Sequence, residues 1–123
     1  MKIIRDYIYV DPEDRGASVA VGNFDGVHLG HQSVIDLARQ TAETISAPLG
    51  ILTFEPHPRS YFAPQSPAFR LMSSEARATR LAKLDVDLLY ELNFNTSLSS
   101  LTPREFAQNV IVDGLGLSHL VVG

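Results

Sequence analysis

The sequence predicts an α/β protein with a mostly parallel sheet covered by helices, an α/β/α sandwich of doubly wound type. Two observations support this fold class. Segments with helical periodicity alternate with short apolar segments, as in βαβ units. The short segments are also apolar on both faces, which is typical of strands buried within a parallel sheet. Ligands of such sheets bind beyond the carboxyl ends of the strands.

The composition is that of one ordinary globular domain. The 123 residues are 45% apolar and carry a net charge of −4, with no block of like charges. A nucleic-acid surface is therefore not expected, and no apolar run is long enough to cross a membrane. The amino terminus lacks the pattern of a signal peptide. Since there are no cysteines, disulfides and thiolate metal sites are excluded, and the cytoplasm is the expected compartment.

The first half of the chain predicts an edge strand, two buried strands and one helix. Residues 1–17 are interpreted as an edge strand and a loop, and residues 19–24 as a buried strand. A helix over residues 31–46 would bury one face, formed by Val34, Ile35, Ala38, Ala42 and Ile45. A second buried strand over residues 49–54 runs into a proline-rich loop over residues 55–67. Loops of that length in compact domains are usually functional or disordered.

The second half predicts two more helices and two more strands. Ser73 begins a helix that reaches Lys83, and residues 87–92 form the third buried strand. Thr102 is a helix cap followed by proline and by a capping-box glutamate. That helix ends near Gly114 or Gly116, and residues 117–122 form the fourth strand. Both unusual loops, 22–31 and 55–67, follow strand carboxyl ends, so we expect them to meet at one site.

The loop over residues 22–31 has the composition of a phosphate-binding loop. Its glycines let the backbone come close to a ligand, and the following helix offers unpaired N–H groups and a partial positive charge. His28 and His31 are the candidate catalytic residues, because donors aimed at the phosphates would stabilise the charge that builds up in nucleotidyl transfer. Two other interpretations stay open: the histidines cap the helix, or with Asp25 they bind zinc.

Two further groups of residues are candidates for binding. Asn23 and Asp25 either shape the tight turn or line the site, since both residue types tolerate left-handed backbone and bond to it. Rings and prolines after the second strand could form an apolar wall on which a flat ligand stacks. These residues are Phe54, Pro56, His57, Pro58, Tyr61 and Phe62. Phe54 could equally belong to the core, and Arg59 could contact a phosphate or solvent.

Two motifs resemble the FMN adenylyltransferase module of bacterial bifunctional FAD synthetases. They are Gly22-Asn23-Phe24-Asp25-Gly26-Val27-His28-Leu29-Gly30-His31 and Thr53-Phe54-Glu55-Pro56-His57-Pro58-Arg59. The His-x-Gly-His element alone is common to many nucleotidylyltransferases, whereas the Phe-Glu-Pro-His-Pro loop is far more specific. Segments around residues 71–75 and 94–106 are also similar to that family. The resemblance covers essentially the whole chain.

The resemblance implies a Rossmann-like domain of the nucleotidylyltransferase superfamily that transfers AMP from ATP to FMN, with Mg²⁺, giving FAD and pyrophosphate. ATP would bind at Gly22, Asn23, Phe24, Asp25, Gly26, His28, Gly30 and His31. The flavin would lie against Phe54, Pro56, His57, Pro58 and Phe62. No protein ligand to the metal is predicted. The partners are therefore small molecules rather than nucleic acid or membrane.

Members of that family continue beyond the last strand of this chain. A loop of the Asp-Phe-x-Phe-Gly type, a Ser/Thr-rich motif ending in arginine and a riboflavin kinase domain follow there. We therefore expect residues 1–123 to be an FMN adenylyltransferase domain that is incomplete at its carboxyl end, without the kinase domain. Two alternatives stay open: a fragment that binds nucleotide or flavin without turnover, and another nucleotidylyltransferase with the His-x-Gly-His motif.

Overall fold

Five strands form one parallel sheet in the computed structural model, which describes residues 1–56, 62 and 72–122. The strands are β1 (Lys2–Ile4), β2 (Ser18–Val21), β3 (Leu49–Glu55), β4 (Leu88–Asn93) and β5 (His119–Val122). Their order across the sheet is β1-β4-β3-β2-β5, and every neighbouring pair is parallel. The predicted α/β class is therefore confirmed, and the first segment does contain an edge strand.

The order of the strands marks where a ligand should bind. From β2 the chain passes outward to β3 and then β4, and it returns to the other side of β2 to form β5. Val21, the last residue of β2, lies opposite Leu52 on one side and Val122 on the other. The carboxyl end of β2 is thus the point at which the strand order reverses. In open α/β sheets, that crevice is the general binding position.

The helices connect these strands, and their caps explain where they begin. They are α1 (Leu29–Ile45), α2 (Ser74–Lys83), α3 (Thr96–Ser99) and α4 (Pro103–Glu105), which continues as a π-helical segment, Phe106–Gly114. Thr102 and Glu105 form the predicted capping box, with bonds of 3.1 and 2.9 Å between side chain and backbone. The Ser73 side chain caps α2 as predicted. No helix in the described part of the chain has both the length and the apolar surface that crossing a bilayer requires.

Two apolar clusters, one on each face of the sheet, hold the helices in place. Consecutive strand residues point to opposite faces, so Ala20 belongs to one cluster and Val19 to the other. The first cluster includes residues of α1 and α2, and the second includes residues of α3 and the π-helical segment. Helices therefore cover both faces of the parallel sheet, which confirms the predicted α/β/α sandwich.

A few predicted boundaries and one predicted core residue are wrong. Ile45 is 45% exposed at the end of α1, although Ile35, Ala38 and Ala42 of the same predicted face are buried. Ile45 is the last residue of α1 and does not belong to the core cluster on which this helix packs. β2 ends at Val21 rather than residue 24, because the chain turns away from the sheet at residue 22.

Candidate active site

The loop between β2 and α1 lies at the reversal point of the sheet. The backbone N–H of Gly22 still donates to the carbonyl of Leu52 at 3.2 Å, after which the chain leaves the sheet. A turn follows in which the N–H of Val27 donates to the carbonyl of Phe24 at 3.2 Å. Gly26 has a φ of +81°, a left-handed conformation that is strained for residues with a Cβ. We call residues 22–28 the phosphate loop.

Two buried side chains fix the shape of the phosphate loop. Phe24 and Val27 have φ values of +55° and +44°, which are uncommon for residues other than glycine. Each is only 1% exposed and belongs to the core cluster beneath α1. Strained backbone of this kind persists when the surrounding packing determines it. The ring of Phe24 is therefore a core anchor, and a ligand would meet the backbone of Phe24 rather than its side chain.

The two histidines form a capping box at the start of α1. The N–H of Gly30 donates to Nδ1 of His28 at 3.1 Å, and the N–H of His28 donates to Nδ1 of His31 at 3.2 Å. Their rings stack with centroids 3.7 Å apart and an interplanar angle of 19°. The ring of Phe24 packs against His31 with centroids 5.0 Å apart. The capping interpretation is thus confirmed.

Capping by Nδ1 leaves the other ring nitrogen available for chemistry. A neutral imidazole that accepts at Nδ1 carries its proton at Nε2, so both rings are held as Nε2–H donors. The donors are stacked side by side at a helix N-terminus, where the backbone also favours an anion. Helix capping and phosphate binding are therefore compatible roles for His28 and His31. A Cβ on Gly30 would lie 3.0 Å from the His28 ring, so glycine permits this packing.

The environment of His31 favours its neutral form. Burial lowers the pKa of His31, and the neighbouring His28 lowers it further, while Asp25 opposes the shift. The unfolded chain, with an ordinary histidine pKa near 6.5, then binds a proton more readily than the folded chain does. The stabilising contribution of His31 is therefore complete above the unfolded pKa. It is lost as the pH falls from there through the lowered folded pKa.

We accordingly expect the melting temperature to fall as the pH is lowered below about 6.5. The His31→Asn variant should lose the part of this slope that comes from His31. Thermal melts of both proteins between pH 5 and 8 give the comparison. Identical slopes in the two proteins would contradict the proposed preference for neutral imidazole.

Asp25 ties the phosphate loop to the segment that precedes α2. Its Oδ1 accepts from the backbone N–H of Met72 at 3.0 Å. The carbonyl of Asn23 accepts from the buried side chain of Arg77, while Asn23 Oδ1 is buried and has no hydrogen-bond partner among the described residues. The left-handed residues of the loop are Phe24, Gly26 and Val27 rather than Asn23 or Asp25, and the Asp25 bond reaches a distant segment, so the turn-shaping interpretation of Asp25 stays a prediction. Whether Asn23 and Asp25 also contact a ligand stays a prediction.

Arg77 of α2 is a site component that the sequence analysis missed. Its side chain is 1% exposed and bonds to the Asn23 carbonyl at 3.1 Å, to Glu55 at 3.2 Å and to Glu91 at 3.3 Å. Glu55 begins the proline-rich loop, so Arg77 links the two loops that were expected to meet. Arginine is mostly a surface residue, and no pattern in the sequence distinguishes Arg77 from the exposed Arg80.

Aromatic rings gather where β3 and β4 end. Phe94 lies against Phe54 and Phe62, with centroids 5.7 and 5.8 Å apart and edge-to-face geometry. Phe106, at the start of the π-helical segment, packs on Phe54 at 6.1 Å. Phe54 is half-buried and Phe62 is 68% exposed. We call these four rings the aromatic cluster; Phe94 and Phe106 were not among the predicted site residues.

The remaining predicted wall residues are described only in part. Pro56 is exposed and follows Glu55 through a cis peptide bond. His57, Pro58, Arg59 and Tyr61 lie outside the described residues, so their predicted roles stay predictions. A cavity of about 360 Å³ opens at the carboxyl ends of β1 and β4. It is lined by Arg5, Asp6, Tyr7, Ile8, Leu92, Asn93, Asn95, Ser97 and Leu98.

The phosphate loop does not present a ready set of metal ligands. In the described part of the chain, three ligating atoms come together only at Asp11, Glu13 and Asp14, near the amino-terminal turn. His28 and His31 already use Nδ1 to accept backbone N–H groups. Asp25, the third ligand of the zinc interpretation, does not come together with His28 and His31 in the described part of the chain, and structural and catalytic zinc need at least three protein ligands.

Comparison with known proteins identifies a family. A family model described as FAD synthetase matches residues 10–123. Similar curated proteins include three named bifunctional riboflavin kinase/FMN adenylyltransferase. The one from Pseudomonas fluorescens is 40% identical over 123 residues, which is 100% of this chain and 39% of the relative. The one from Listeria monocytogenes is 40% identical over 106 residues, 85% of this chain and 33% of the relative.

The third relative, from Bacillus subtilis, is 38% identical over 113 residues, 90% of this chain and 35% of its own length. The chain thus spans less than two fifths of each of these relatives. A solved structure, named as a macrolide-efflux protein from Streptococcus pneumoniae, has a TM-score of 0.79 and 28% identity. The match covers 98% of this chain and 46% of the chain in that structure, and it supports the Rossmann-like fold. The match over residues 10–123 shows that the chain belongs to the FAD synthetase family.

Proposed function

We propose that this chain is the part of an FAD synthetase that transfers AMP from ATP to FMN. The observation that carries this proposal is the pair of stacked histidines at the N-terminus of α1, each accepting a backbone N–H at Nδ1, which leaves Nε2 to donate. The FMN adenylyltransferase part of the relatives' names supports the choice of reaction. Riboflavin kinase activity, the other part of those names, is not proposed for residues 1–123.

In the proposed reaction, a phosphate oxygen of FMN attacks the α-phosphorus of ATP. A new P–O bond forms, the bond from the α-phosphorus to the bridging oxygen breaks, and pyrophosphate leaves with those electrons. Charge builds up on the α-phosphoryl oxygens and on the leaving group. His28 and His31 would donate their Nε2–H groups to that charge, together with N–H groups at the start of α1. No covalent intermediate with the protein is needed, because positioning and electrostatics suffice.

Magnesium would enter this site bound to ATP. Mg²⁺ usually keeps several waters and binds through substrate phosphates and one or two carboxylates, and it neutralises phosphate charge when bound. Asp25 is the carboxylate on the phosphate loop, so it is the residue that fits such an ion. Its Oδ1 already accepts from Met72, which makes Asp25 at most one ligand among several. A protein-only magnesium cage is not proposed.

The flavin ring would lie against the aromatic cluster. Phe62 presents an exposed ring next to Phe94, and Phe54 joins this pair to the end of β3. Aromatic side chains favour stacked or edge-on contact with a flat ring system. The cluster follows β3 and β4, whereas the phosphate loop follows β2, so the two substrates would approach each other along one edge of the sheet. Pro56, His57 and Pro58 would complete this wall.

The proposed reaction is tested by following FAD. Protein that contains residues 1–123 is incubated with ATP, Mg²⁺ and FMN, and the flavins are separated by chromatography. We expect FAD in amounts that match the pyrophosphate released. Parallel incubations replace FMN with phosphopantetheine, or ATP with CTP, to test for another nucleotidylyltransferase. FAD formation with FMN and ATP alone supports the proposal, while turnover only with another pair would contradict it.

A binding module without turnover is separated by a second measurement. Calorimetry on residues 1–123 reports ATP and FMN binding whether or not a product forms. A chimera, in which this chain replaces the aligned 123 residues of the Pseudomonas fluorescens relative, supplies the rest of a family enzyme. FAD formation by the chimera would support a catalytic role for these residues. ATP binding by a folded chimera that makes no FAD would favour the binding module.

A further inference from the structure

Arg77 is buried in a way that stability alone does not explain. Its side chain is 1% exposed and has the largest volume of the fully buried side chains described. Arginine and its carboxylates lose hydration on burial, and apolar residues of similar size are often equally or more stabilising at such positions. Arg77 Nε also has no hydrogen-bond partner among the described residues, so the cluster is not fully satisfied. These features suggest a role beyond holding α2 in the core.

The contacts of Arg77 all lead to the carboxyl edge of the sheet. One amino group donates to the carbonyl of Asn23, two residues beyond β2. The other lies between the carboxylates of Glu55, the last residue of β3, and Glu91 in β4. The Nε atom of Arg5, which follows β1, lies 3.4 Å from Oε1 of Glu91. One planar group therefore fixes the start of the phosphate loop relative to two neighbouring strands.

We infer that Arg77 is a positioning residue. It sets the position of the phosphate loop, and with it the histidine donors, relative to β3 and β4, at whose ends the aromatic cluster lies. This inference rests on the proposed AMP transfer. A guanidinium is a rigid fork that can bond to several oxygens in one plane, whereas a lysine ammonium is a single flexible point charge. A displacement of about 1 Å at a reacting group can cost about 10²-fold in rate. The hydrogen bonds given for Arg77 go to Asn23, Glu55 and Glu91 rather than to His28 or His31, so Arg77 would act through the loop.

The experiment compares Arg77→Met, Arg77→Lys and a matched control, Arg80→Met, in protein that contains the whole chain. Arg80 lies on the same helix three residues further on and is exposed. For Arg77→Met we expect the kcat of the folded protein to fall by about 10–100-fold. The thermal midpoint should also fall, because the buried carboxylate of Glu91 loses its bond to Arg77. Arg77→Lys should recover part of the rate, and Arg80→Met should leave it unchanged.

A second readout follows the phosphate loop directly and needs no turnover. Nitrogen NMR of the imidazole rings distinguishes Nε2–H histidine from the other tautomer. In the original protein both rings should be of the Nε2–H type, and Arg77→Met should change the tautomer signals of His28 or His31. If the original protein makes no FAD, the proposed reaction fails, but the imidazole spectra still decide the role of Arg77.

Three results would overturn the inference. One is an Arg77→Met protein whose kcat stays within about threefold of the original. Another is a loss of rate that only follows the fraction of unfolded protein. The third is an imidazole spectrum that the substitution leaves unchanged. If Arg77→Met does not fold, Arg77→Lys decides by the same criteria: a folded protein with a kcat at least threefold lower and altered imidazole signals supports the inference.

Discussion

Alanine in place of either His28 or His31 should slow FAD formation by about 10²–10³-fold, the usual cost of removing one transition-state hydrogen-bond donor. Both rings are proposed to donate from Nε2 while Nδ1 accepts a backbone N–H. Because that donor acts most strongly on charge that develops during the reaction, kcat should fall more than the affinity for ATP. Initial rates of FAD formation over a range of ATP concentrations measure both quantities.

A matched variant separates catalysis from helix capping. Asparagine is among the best N-cap residues, and its side-chain oxygen can take the place of Nδ1 but does not reach as far as Nε2. His28→Asn should therefore melt close to the original protein, whereas His28→Ala should lose about 1 kcal/mol of stability with the cap. Both variants should be slow. A His28→Asn protein as fast as the original would show that the histidine serves the helix alone.

Phe24→Ala should reduce the free energy of unfolding by about 3–5 kcal/mol, as expected when a buried aromatic ring is removed. Phe24 is 1% exposed, and its ring supports that of His31. The loop also loses the packing that holds its left-handed residues, so ATP should bind more weakly as a consequence. Urea unfolding gives the stability and calorimetry gives the affinity.

Phe62→Ala is the control, because that ring is 68% exposed and its loss should cost little stability. The resemblance to FAD synthetases placed Phe24 among the ATP-binding residues, and its burial now assigns the side chain a supporting role. A Phe24→Ala protein that binds ATP more weakly, but whose free energy of unfolding lies within about 1 kcal/mol of the original, would contradict the role of Phe24 as a core anchor. It would instead favour direct contact between the ring and the nucleotide.

The strands and the long helices were predictable because their signals are local. Apolar runs fix β2, β3 and β4 within a few residues, and the capping residues at Ser73 and Thr102 mark real helix starts. The start of α1 was predicted near His31 and is observed at Leu29. Histidine is not a usual N-cap residue, so capping by His28 was only one of several interpretations of the sequence. The bond from the Gly30 N–H to Nδ1 of His28 favours the tautomer that carries its proton on Nε2.

Other parts of the site depend on contacts between distant residues. α3 is a single turn capped by Asn95, too short to show a periodic pattern. The π-helical segment widens each turn and brings Phe106 onto Phe54, which a regular 3.6-residue pattern does not predict. Arg77 bonds to Asn23, which is 54 positions away in the sequence, and to glutamates on two neighbouring strands. Such partners are determined by the assembled sheet rather than by the neighbouring sequence.

The position of a phosphorus label tests the central claim most directly. Protein that contains this chain is given FMN, Mg²⁺ and ATP labelled at either the α- or the γ-phosphorus. AMP transfer predicts that the α label appears in FAD and that the γ label appears only in pyrophosphate. The α label in FAD and the γ label in pyrophosphate should both diminish in the His28→Asn variant. A γ label transferred to flavin, or an α label that never reaches FAD, would contradict the account.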